Sequence, residues 1–305
     1  MKIGILCFRS YDSYEGAEER KLMQAAERMG HEAICIQVPQ VTFALAPHRE
    51  ILYEAKPFPQ VDVLLSRARV IDQIELRLFV IRFLQEQGFP IVNGYEALLR
   101  AKNKLTSTFY LQEAGLAVLP TWVVEDEAVA MSLAEQIGFP LVLKSAYGTF
   151  GHAVQKAGHR EALKPMLDLF WNSQSTPPLL LQPFVAEAEG KDHRLFVVGD
   201  TVVAAMERSA AAGEFRSNVE QGGKTSSLQA SLAEIQLAVE ATRALGLDYA
   251  GVDIIQTRNG PAVLEVNGNP GFKALEEVSG VDVAACLIEL AVSRFQKVEP
   301  EVHKE

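Results

Sequence analysis

Short apolar runs alternate with amphipathic helical stretches over the first 94 residues, and this alternation restricts the fold more than any other feature. Strands are predicted at residues 2–8, 33–38, 61–66 and 89–92, and helices at residues 18–29 and 76–87. Gly30 and Gly88 directly follow the two helices, as is common at a helix C-terminus. Because neighbouring parallel strands need a crossover, usually a helix, the pattern predicts a βαβ opening around a parallel sheet.

The pattern changes after residue 94. Short strands are predicted at residues 121–124, 141–145, 153–156 and 179–182, with helices at residues 128–137 and 161–170. A hairpin with a Gly199-Asp200 turn follows at residues 195–206. Capping boxes are predicted at Asn93 with Glu96 and at Ser231 with Glu234. We therefore predict an α/β N-terminal domain at residues 1–94 and two α+β subdomains at residues 95–185 and 186–305.

Charge and hydropathy exclude several classes of partner. A net charge of -10 and a pI near 5.2 disfavour non-specific binding to nucleic acid or to an anionic membrane, since both are polyanions. The chain has no apolar run of about 18 residues, and its start is too short for a secretory signal. Cys7, Cys35 and Cys286 form no metal-binding spacing and are expected to be buried thiols. We expect a cytoplasmic protein.

Acidic and amide residues interrupt two apolar strands at residues 251–271. The strands are joined by Arg258-Asn259-Gly260, which allows two registers. One is a two-residue Asn259-Gly260 turn, and the other is a three-residue loop that pairs Thr257 with Pro261. Pairing of the apolar residues favours the three-residue loop.

That register pairs Ile254 with Leu264 and sets Asp253 opposite Glu265, on the same face as Asn267. Three hard oxygen ligands on one face suit Mg²⁺ and leave positions for phosphate oxygens. The alternative is a solvated edge hairpin with ordinary surface acids. The following Gly and Pro residues leave the amide of Asn269 beside the metal, where a charged substrate could be held.

Lys144 is the one charge that ends the apolar strand at residues 140–143. A buried lysine needs an anion, and the glycine-containing loop with Gly148 and Gly151 could place backbone N–H groups around phosphates. An ordinary hairpin turn is the alternative interpretation of this loop. Lys104 lies on a predicted helix, where a lysine is less specific as a sign of a phosphate site.

Several segments in the right order resemble the ATP-grasp ligases, and within them the RimK-like group. The most specific matches are Ala101-Lys102-Asn103-Lys104, Leu143-Lys144, Leu181-Gln182-Pro183-Phe184-Val185, Val197-Val198-Gly199-Asp200, Phe215-Arg216-Ser217-Asn218 and residues 253–271. The resemblance covers nearly the whole chain. It implies an ATP-grasp fold, with a pre-ATP-grasp domain and two α+β subdomains that enclose the nucleotide.

The resemblance also implies ATP and two Mg²⁺ ions, with Mn²⁺ as a substitute, and a role for each matching residue. Lys104 and Lys144 would contact the phosphates, the backbone of Gln182, Pro183, Phe184 and Val185 would read adenine, and Asp192 would bind the ribose. Arg208, Arg216, Ser217 and Asn218 would meet phosphate and acyl-phosphate oxygens, and Arg208, Arg216 and Asn218 are the candidate catalytic residues. Asp253, Glu265 and Asn267 would hold the two metals, and Arg67, with Arg69 as its neighbour, would fix a substrate carboxylate.

Three departures from the family pattern bear on the substrate. Pro183 stands where ribosomal-protein glutamate ligase has an acidic residue, although its carbonyl can still accept from adenine. The stretch at residues 207–215 is poor in basic residues, and Tyr147 and Phe150 replace polar residues in the phosphate loop. The last two departures put an acidic protein tail in doubt as the acceptor, whereas ATP binding should survive the presence of Pro183.

The function expected from this resemblance is an ATP-dependent carboxylate–amine ligase that works through an acyl-phosphate. It would add an amino acid such as glutamate to a small metabolite, a peptide or a protein tail, and a homo-oligomer is compatible with the sequence. Two alternatives stay open. One is a dipeptide ligase of the D-alanine–D-alanine or glutathione type, and the other is a non-catalytic ATP-binding regulatory module.

Overall fold

The computed structural model describes residues 1–8, 16–147, 154–171, 178–217 and 222–302. Its strands are β1 (Lys2–Cys7), β2 (Glu32–Gln37), β3 (Val41–Ala44), β4 (Glu50–Tyr53), β5 (Lys56–Pro57), β6 (Val63–Arg67), β7 (Ile91–Val92), β8 (Trp122–Val124), β9 (Leu141–Ser145), β10 (Val154–Ala157), β11 (Leu179–Pro183), β12 (Lys191–Val198), β13 (Thr201–Ser209), β14 (Lys224–Ser227), β15 (Tyr249–Thr257) and β16 (Gly260–Asn267). Its α-helices are α1 (Ala17–Arg28), α2 (Ile74–Glu86), α3 (Tyr95–Lys102), α4 (Lys104–Glu113), α5 (Glu127–Ile137), α6 (Arg160–Trp171), α7 (Leu232–Ala244), α8 (Lys273–Ser279) and α9 (Val283–Val302).

The N-terminal sheet is parallel, with strand order β2-β1-β6-β7. Every residue of β6 is buried, and helices α1 and α9 pack on the apolar side chains of β1 and β6. The predicted βαβ opening is therefore confirmed. The register places Cys7 beside Arg67, so both lie at the carboxyl edge of the sheet.

A small antiparallel sheet, β3-β4-β5, lies between β2 and β6 in the chain, and the sequence did not predict it. Its strands have four, four and two residues. None of its residues is buried, so the alternation of apolar and polar side chains that marks longer strands is weak here.

The central sheet is antiparallel, with strand order β10-β9-β11-β8. Leu141 and Leu143 face a core that includes residues of helices α5 and α6. Because side chains alternate along a strand, Val142 and Lys144 face the opposite side. The same alternation on β11 puts Gln182 on that opposite side.

The C-terminal sheet has the order β14-β13-β12-β15-β16, and its apolar face packs on α7. The Gly199-Asp200 turn between β12 and β13 is as predicted. On β15, Val252 and Ile254 belong to the α7 core, so Asp253 between them faces away from it. The polar faces of the central and C-terminal sheets thus line one cleft.

One predicted capping box is confirmed and the other is wrong. Ser231 and Glu234 form the reciprocal pair at the start of α7. Helix α3 has Gly94 as its N-cap, without a side-chain cap. The Asn93 side chain is instead fully buried and bonds to the backbone of residues 248, 249 and 268, because it fills the junction with the C-terminal sheet.

No helix among the described residues is both long and apolar enough to span a bilayer. The domain boundaries at residues 94 and 185 stay predictions.

Candidate active site

The cleft between the central and C-terminal sheets encloses about 990 Å³ of space, part of it open to solvent. The sequence-predicted residues that line it are Lys104, Lys144, Gln182, Pro183, Phe184, Val185, Asp192, Arg208, Arg216, Ser217, Asp253 and Glu265. Residues separated by up to 161 positions in the chain therefore meet in one place. Gly148, Gly151 and Asn218, also predicted to belong to the site, lie outside the described residues.

The β15–β16 hairpin brings Asp253 and Glu265 directly opposite each other, as the sequence predicted. The tip is different from both predicted registers. Thr257 pairs with Gly260 rather than with Pro261, which leaves a two-residue Arg258-Asn259 turn.

A β-bulge restores the predicted pairing farther along the hairpin. Ile254 pairs with Val263 rather than with Leu264, and Asp253 then pairs with Glu265, so Leu264 is the extra residue. Leu264 and Glu265 both line the cleft. A bulge of one residue cannot be predicted from apolar pairing alone. Between the tip and the bulge, both the observed register and the predicted one pair Ile254 with an apolar residue.

Asp253 is almost fully buried and is surrounded by guanidinium groups. Arg194 binds it with two parallel hydrogen bonds of 2.7 Å each, and Arg208 Nη2 lies 2.9 Å from Asp253 Oδ2. Burial by itself raises the pKa of Asp253, but these two arginines outweigh burial and hold the pKa below its usual value. The carboxylate is therefore ionised at neutral pH.

Arg208 links the two buried acids of the site. Its Nε donates to Asp192 Oδ1 at 2.6 Å, and Ser217 donates to the other oxygen of Asp192. Burial by itself lowers the pKa of Arg208, but the carboxylates of Asp253 and Asp192 raise it by more than burial lowers it. The guanidinium group therefore stays charged. Asp192, proposed for the ribose, thus has both oxygens engaged within the protein.

Lys144 lies at the centre of the cleft wall. Burial, with a smaller contribution from Lys104, lowers the pKa of its ammonium to about 8, and Glu265 opposes the change. Lys104 begins helix α4, and its Nζ lies 3.3 Å from Glu265 Oε1. Two lysines and the paired acids therefore share one electrostatic cluster, in which an added anion would stabilise the ammonium of Lys144.

The hinge after β11 has few backbone donors to offer. Pro183 has no N–H, and the Phe184 N–H donates to the Pro140 carbonyl at 3.0 Å. The Gln182 side chain donates to Thr121 at 2.8 Å, while its Oε1 is buried without a partner among the described residues. Val185, the next residue, also lines the cleft.

The mouth of the cleft is aromatic. The rings of Phe184 and Phe215 meet edge to face at 6.2 Å, and Lys156 Nζ lies 4.2 Å from the Phe184 ring centroid. Arg216 is paired with Glu214, with Nη2 to Oε2 at 2.7 Å, and this pairing, together with the backbone N–H groups of Phe215 and Arg216, lowers the pKa of Glu214 to about 2. An incoming phosphate would have to compete with Glu214 for Arg216.

The residue types predicted as metal ligands suit Mg²⁺ by their chemistry, but Arg194 and Arg208 already bind Asp253, so the ion would have to displace at least one of these contacts. Asp253 and Glu265 line the cleft, and Asn267 follows Glu265 by two residues on the same strand face. Within the described ranges no three Asp, Glu, His or Cys side chains form a metal cluster. Two carboxylates and an amide nevertheless suit Mg²⁺ that arrives with a nucleotide, because that ion takes only one or two carboxylates and leaves other positions to phosphates.

Arg67 does not reach the cleft. Its side chain is 0% exposed, and its Nη2 lies 2.7 Å from Glu18 Oε2. In this arrangement it presents no surface to a substrate carboxylate, contrary to the expectation from the resemblance. Arg69, which also pairs with Glu18, keeps 24% of its side chain exposed. Asn269 Oδ1 is buried and has no partner among the described residues.

The sequence did not single out three residues of this region. Arg194 lies two positions after Asp192, so strand alternation places both on the cleft face, and that spacing was the available signal. Glu18 and Lys156 carried no signal, because their partners are distant in the chain.

Comparison with known proteins decides the family. The model of the RimK PreATP-grasp domain matches residues 1–98, and that of the RimK-like ATP-grasp domain matches residues 101–291. The chain belongs to the RimK-like ATP-grasp family. The predicted family and fold class are thereby confirmed, and the chain is a ligase of the C–N bond-forming ATP-grasp type.

Curated relatives of the RimK-like chain carry the name probable alpha-L-glutamate ligase. The protein from Pasteurella multocida (strain Pm70) is 34% identical over 288 residues, which cover 92% of this chain and 91% of the relative. The protein from Shewanella pealeana (strain ATCC 700345 / ANG-SQ1) is 33% identical over 95% of this chain, but over 62% of its own length.

Solved structures share the fold of this RimK-like chain. A RimK domain ATP-grasp protein from Sphaerobacter thermophilus DSM 20745 has a TM-score of 0.76 at 22% identity, over 96% of this chain and 100% of that one. D-alanyl-alanine synthetase A from Vibrio cholerae has a TM-score of 0.73 at 16% identity, over 97% and 98% of the two chains. At such identities the likeness concerns the fold alone.

Proposed function

We propose that this chain is an ATP- and Mg²⁺-dependent carboxylate–amine ligase that activates its acid as an acyl-phosphate and transfers it to the amine of an amino acid. The observation that carries the proposal is the direct pairing of Asp253 with Glu265 in a cleft that also contains Lys144. The names of the curated relatives support L-glutamate as the amino acid.

In this proposal cationic side chains hold the phosphates. Lys144 and Lys104 neutralise the nucleotide, and Arg208 and Arg216 stabilise the charge that develops on the transferred phosphoryl group. Asp253, Glu265 and Asn267 hold Mg²⁺, which supplies charge neutralisation between the phosphates when it is bound. Burial of Lys144, Arg208 and Asp253 strengthens their interactions, because less water screens these charges.

The hinge and the aromatic mouth bind the nucleoside. The carbonyls of the hinge and the Val185 N–H are the groups proposed for adenine, and Phe184 and Phe215 provide apolar surface for its ring. Asp192 accepts from the ribose once Arg208 or Ser217 releases one of its oxygens.

The wall at residues 207–217 favours a small or weakly charged acceptor over a polyacidic tail. Arg208 is paired with Asp192 and Asp253, and Arg216 is paired with Glu214. Each cation on this wall thus already has an acidic partner, so a strongly anionic acceptor would find little net positive charge.

A coupled assay of ADP release with pools of amino acids tests the proposal. We expect turnover that depends on Mg²⁺ and rises when the pool contains the correct amino acid. Mass spectrometry of products from a cell extract with ATP then identifies the acid and the amine. The absence of stimulation by every pool and by the extract would contradict the proposal and favour a regulatory ATP-binding module.

A further inference from the structure

Side chains of the N-terminal domain hold the loop that connects β16 to α8 at every second residue, namely at residues 268, 270 and 272. The contacts are Asn93 Nδ2 to the Gly268 carbonyl at 2.9 Å, Arg67 Nη1 and Nη2 to the Pro270 carbonyl at 3.3 Å each, and the Phe272 N–H to Glu18 Oε1 at 2.6 Å. The residues just before the first two contacts are Asn267 and Asn269, which we propose as metal and substrate ligands. The loop is thus fixed at positions directly next to these two asparagines, which are not themselves among the described residues that line the cleft.

Glu18 contacts both the loop and the arginines of the N-terminal domain. Its Oε1 accepts from the Phe272 and Lys273 N–H groups, at 2.6 and 3.1 Å, and its Oε2 accepts from Arg67 and Arg69, at 2.7 and 2.8 Å. The carboxylate is buried, which raises its pKa, but the two arginines and the backbone donors outweigh burial and lower the pKa overall. Glu18 is therefore an ionised group with four donors.

Close packing leaves the loop little freedom to shift. A methyl group on Gly271 would lie 3.3 Å from Glu18 Oε1, and one on Gly251 would lie 2.6 Å from Pro270 Cβ. The loop is thus enclosed between helix α1 and strand β15. Asn269 Oδ1, buried and without a partner among the described residues, is left as the group on this loop for a ligand to satisfy.

We propose that Glu18 is a positioning residue for ligation: it fixes the loop after β16 and thereby sets the positions of Asn267 and Asn269. The inference rests on the proposed function, because it assigns those two asparagines to the site. Glu18 itself does not touch the cleft lining described above. Its effect is therefore expected on the rate of ligation rather than on the affinity for ATP.

Glu18→Gln and Glu19→Gln form a matched pair to test this role. Glu19 follows Glu18 on α1, is also buried, and lies 3.6 Å from Arg67 Nε, but it has no hydrogen bond to the loop among the described residues. Both changes remove one negative charge beside Arg67. Glu18→Gln leaves a single acceptor oxygen, so the side chain can no longer accept from both the two arginines and the Phe272 and Lys273 N–H groups, whereas Glu19→Gln leaves these contacts unchanged.

Steady-state ADP release and amide hydrogen exchange are measured on the full chain. We expect Glu18→Gln to lower kcat about tenfold or more, with the KM for ATP within about twofold, because misplaced ligands slow the reaction without removing the nucleotide site. Exchange at Phe272 and Lys273 should become faster. Glu19→Gln should keep kcat within about threefold. If Glu18→Gln does not fold, Glu18→Asp, which keeps the charge but shortens the reach, should show the same pattern.

Equal loss of kcat in the two Gln variants would overturn the proposal, since the charge balance of Arg67 would then explain both. A parallel rise in the KM for ATP would also overturn it, because the effect would be a general structural one. If the wild-type chain ligates no amino acid, the proposed function fails by itself. The role of Glu18 is then decided by exchange at Phe272 and Lys273, and an unchanged exchange rate in Glu18→Gln would refute it.

Discussion

Glu265 has two neighbours of opposite kind, the carboxylate of Asp253 across the hairpin and the ammonium of Lys104 at 3.3 Å. Its side chain is about one-third exposed and lines the cleft. Two carboxylates this close repel unless cations lie between or beside them. Lys104, Arg194 and Arg208 provide that charge here, and we propose that Mg²⁺ shares the task when the nucleotide is bound.

Glu265→Gln should reduce ligation strongly and leave the fold intact. The change removes a metal-binding charge without altering shape, and we expect a loss of about 10²–10³-fold in kcat. ADP release measures the rate, and thermal unfolding measures the fold. Glu161→Gln, at a side chain that is 81% exposed on α6, is the control and should retain full activity. Normal turnover in Glu265→Gln would remove this residue from the site.

Lys144 should make the affinity for ATP depend on pH. Its pKa of about 8 in the free protein means that the ammonium needed by the phosphates is present below pH 8 and is lost above it. The affinity should therefore be constant below that pH and fall by about tenfold per unit above it. Lys144→Met should bind ATP weakly at every pH, without this dependence. Titration calorimetry of both proteins between pH 7 and 9.5 checks this, and an equal affinity in the two would show that Lys144 does not meet the phosphates.

Residue types and their order predicted many members of the site, but not their partners. Lys144, Asp253 and Glu265 could be selected because each is a charge within or beside an apolar strand, whereas Asp192 was selected from the family resemblance. The burial of Arg67 could not be predicted, because Glu18 and Glu19 neutralise it from a helix 48 residues away. Arg194 was missed for a similar reason, since its partner Asp253 belongs to another strand.

The β15–β16 hairpin shows what pairing rules can and cannot predict for an element. Apolar pairing predicted that Asp253 faces Glu265, and the structure agrees. The turn at Arg258-Asn259 and the bulge at Leu264 were not predicted. The turn shifts the pairing at the tip by one residue, and the bulge shifts it back, so the pairing of Asp253 with Glu265 is the same with or without them. The small sheet β3-β4-β5 was missed because strands of two to four residues are too short for a periodic signal.

Gly260→Ala should destabilise this hairpin. Gly260 has a φ of +106°, which residues with a side chain rarely adopt, and its surroundings are open. We expect a loss of roughly 1–3 kcal/mol in the free energy of unfolding, measured with urea. Gly158→Ala is the matched control, because Gly158 also has open space but no positive φ. Equal stability of the two variants would show that the conformation at Gly260 is not strained by a Cβ.

At the scale of the whole molecule, the alternation of strands and helices predicted the α/β opening, and motif order predicted the family. The sequence did not predict how the N-terminal domain packs against the remainder of the chain. Asn93, Arg67 and Glu18 hold residues 268–273 through contacts across 175 or more positions. Such contacts leave no local pattern, because each depends on backbone groups of a distant loop. The N-terminal domain is therefore part of the site's support as well as a neighbour of it.

Calorimetric titration of a non-hydrolysable ATP analogue over a series of Mg²⁺ concentrations tests most directly whether the cleft of Lys144 and the Asp253–Glu265 pair is the nucleotide site. We predict one analogue bound per chain, with an affinity that rises with Mg²⁺. Lys144→Met should weaken the affinity by about tenfold or more, and Glu265→Gln should lose most of the Mg²⁺ dependence. Wild-type affinity and an unchanged Mg²⁺ response in both variants would contradict the assignment of this cleft.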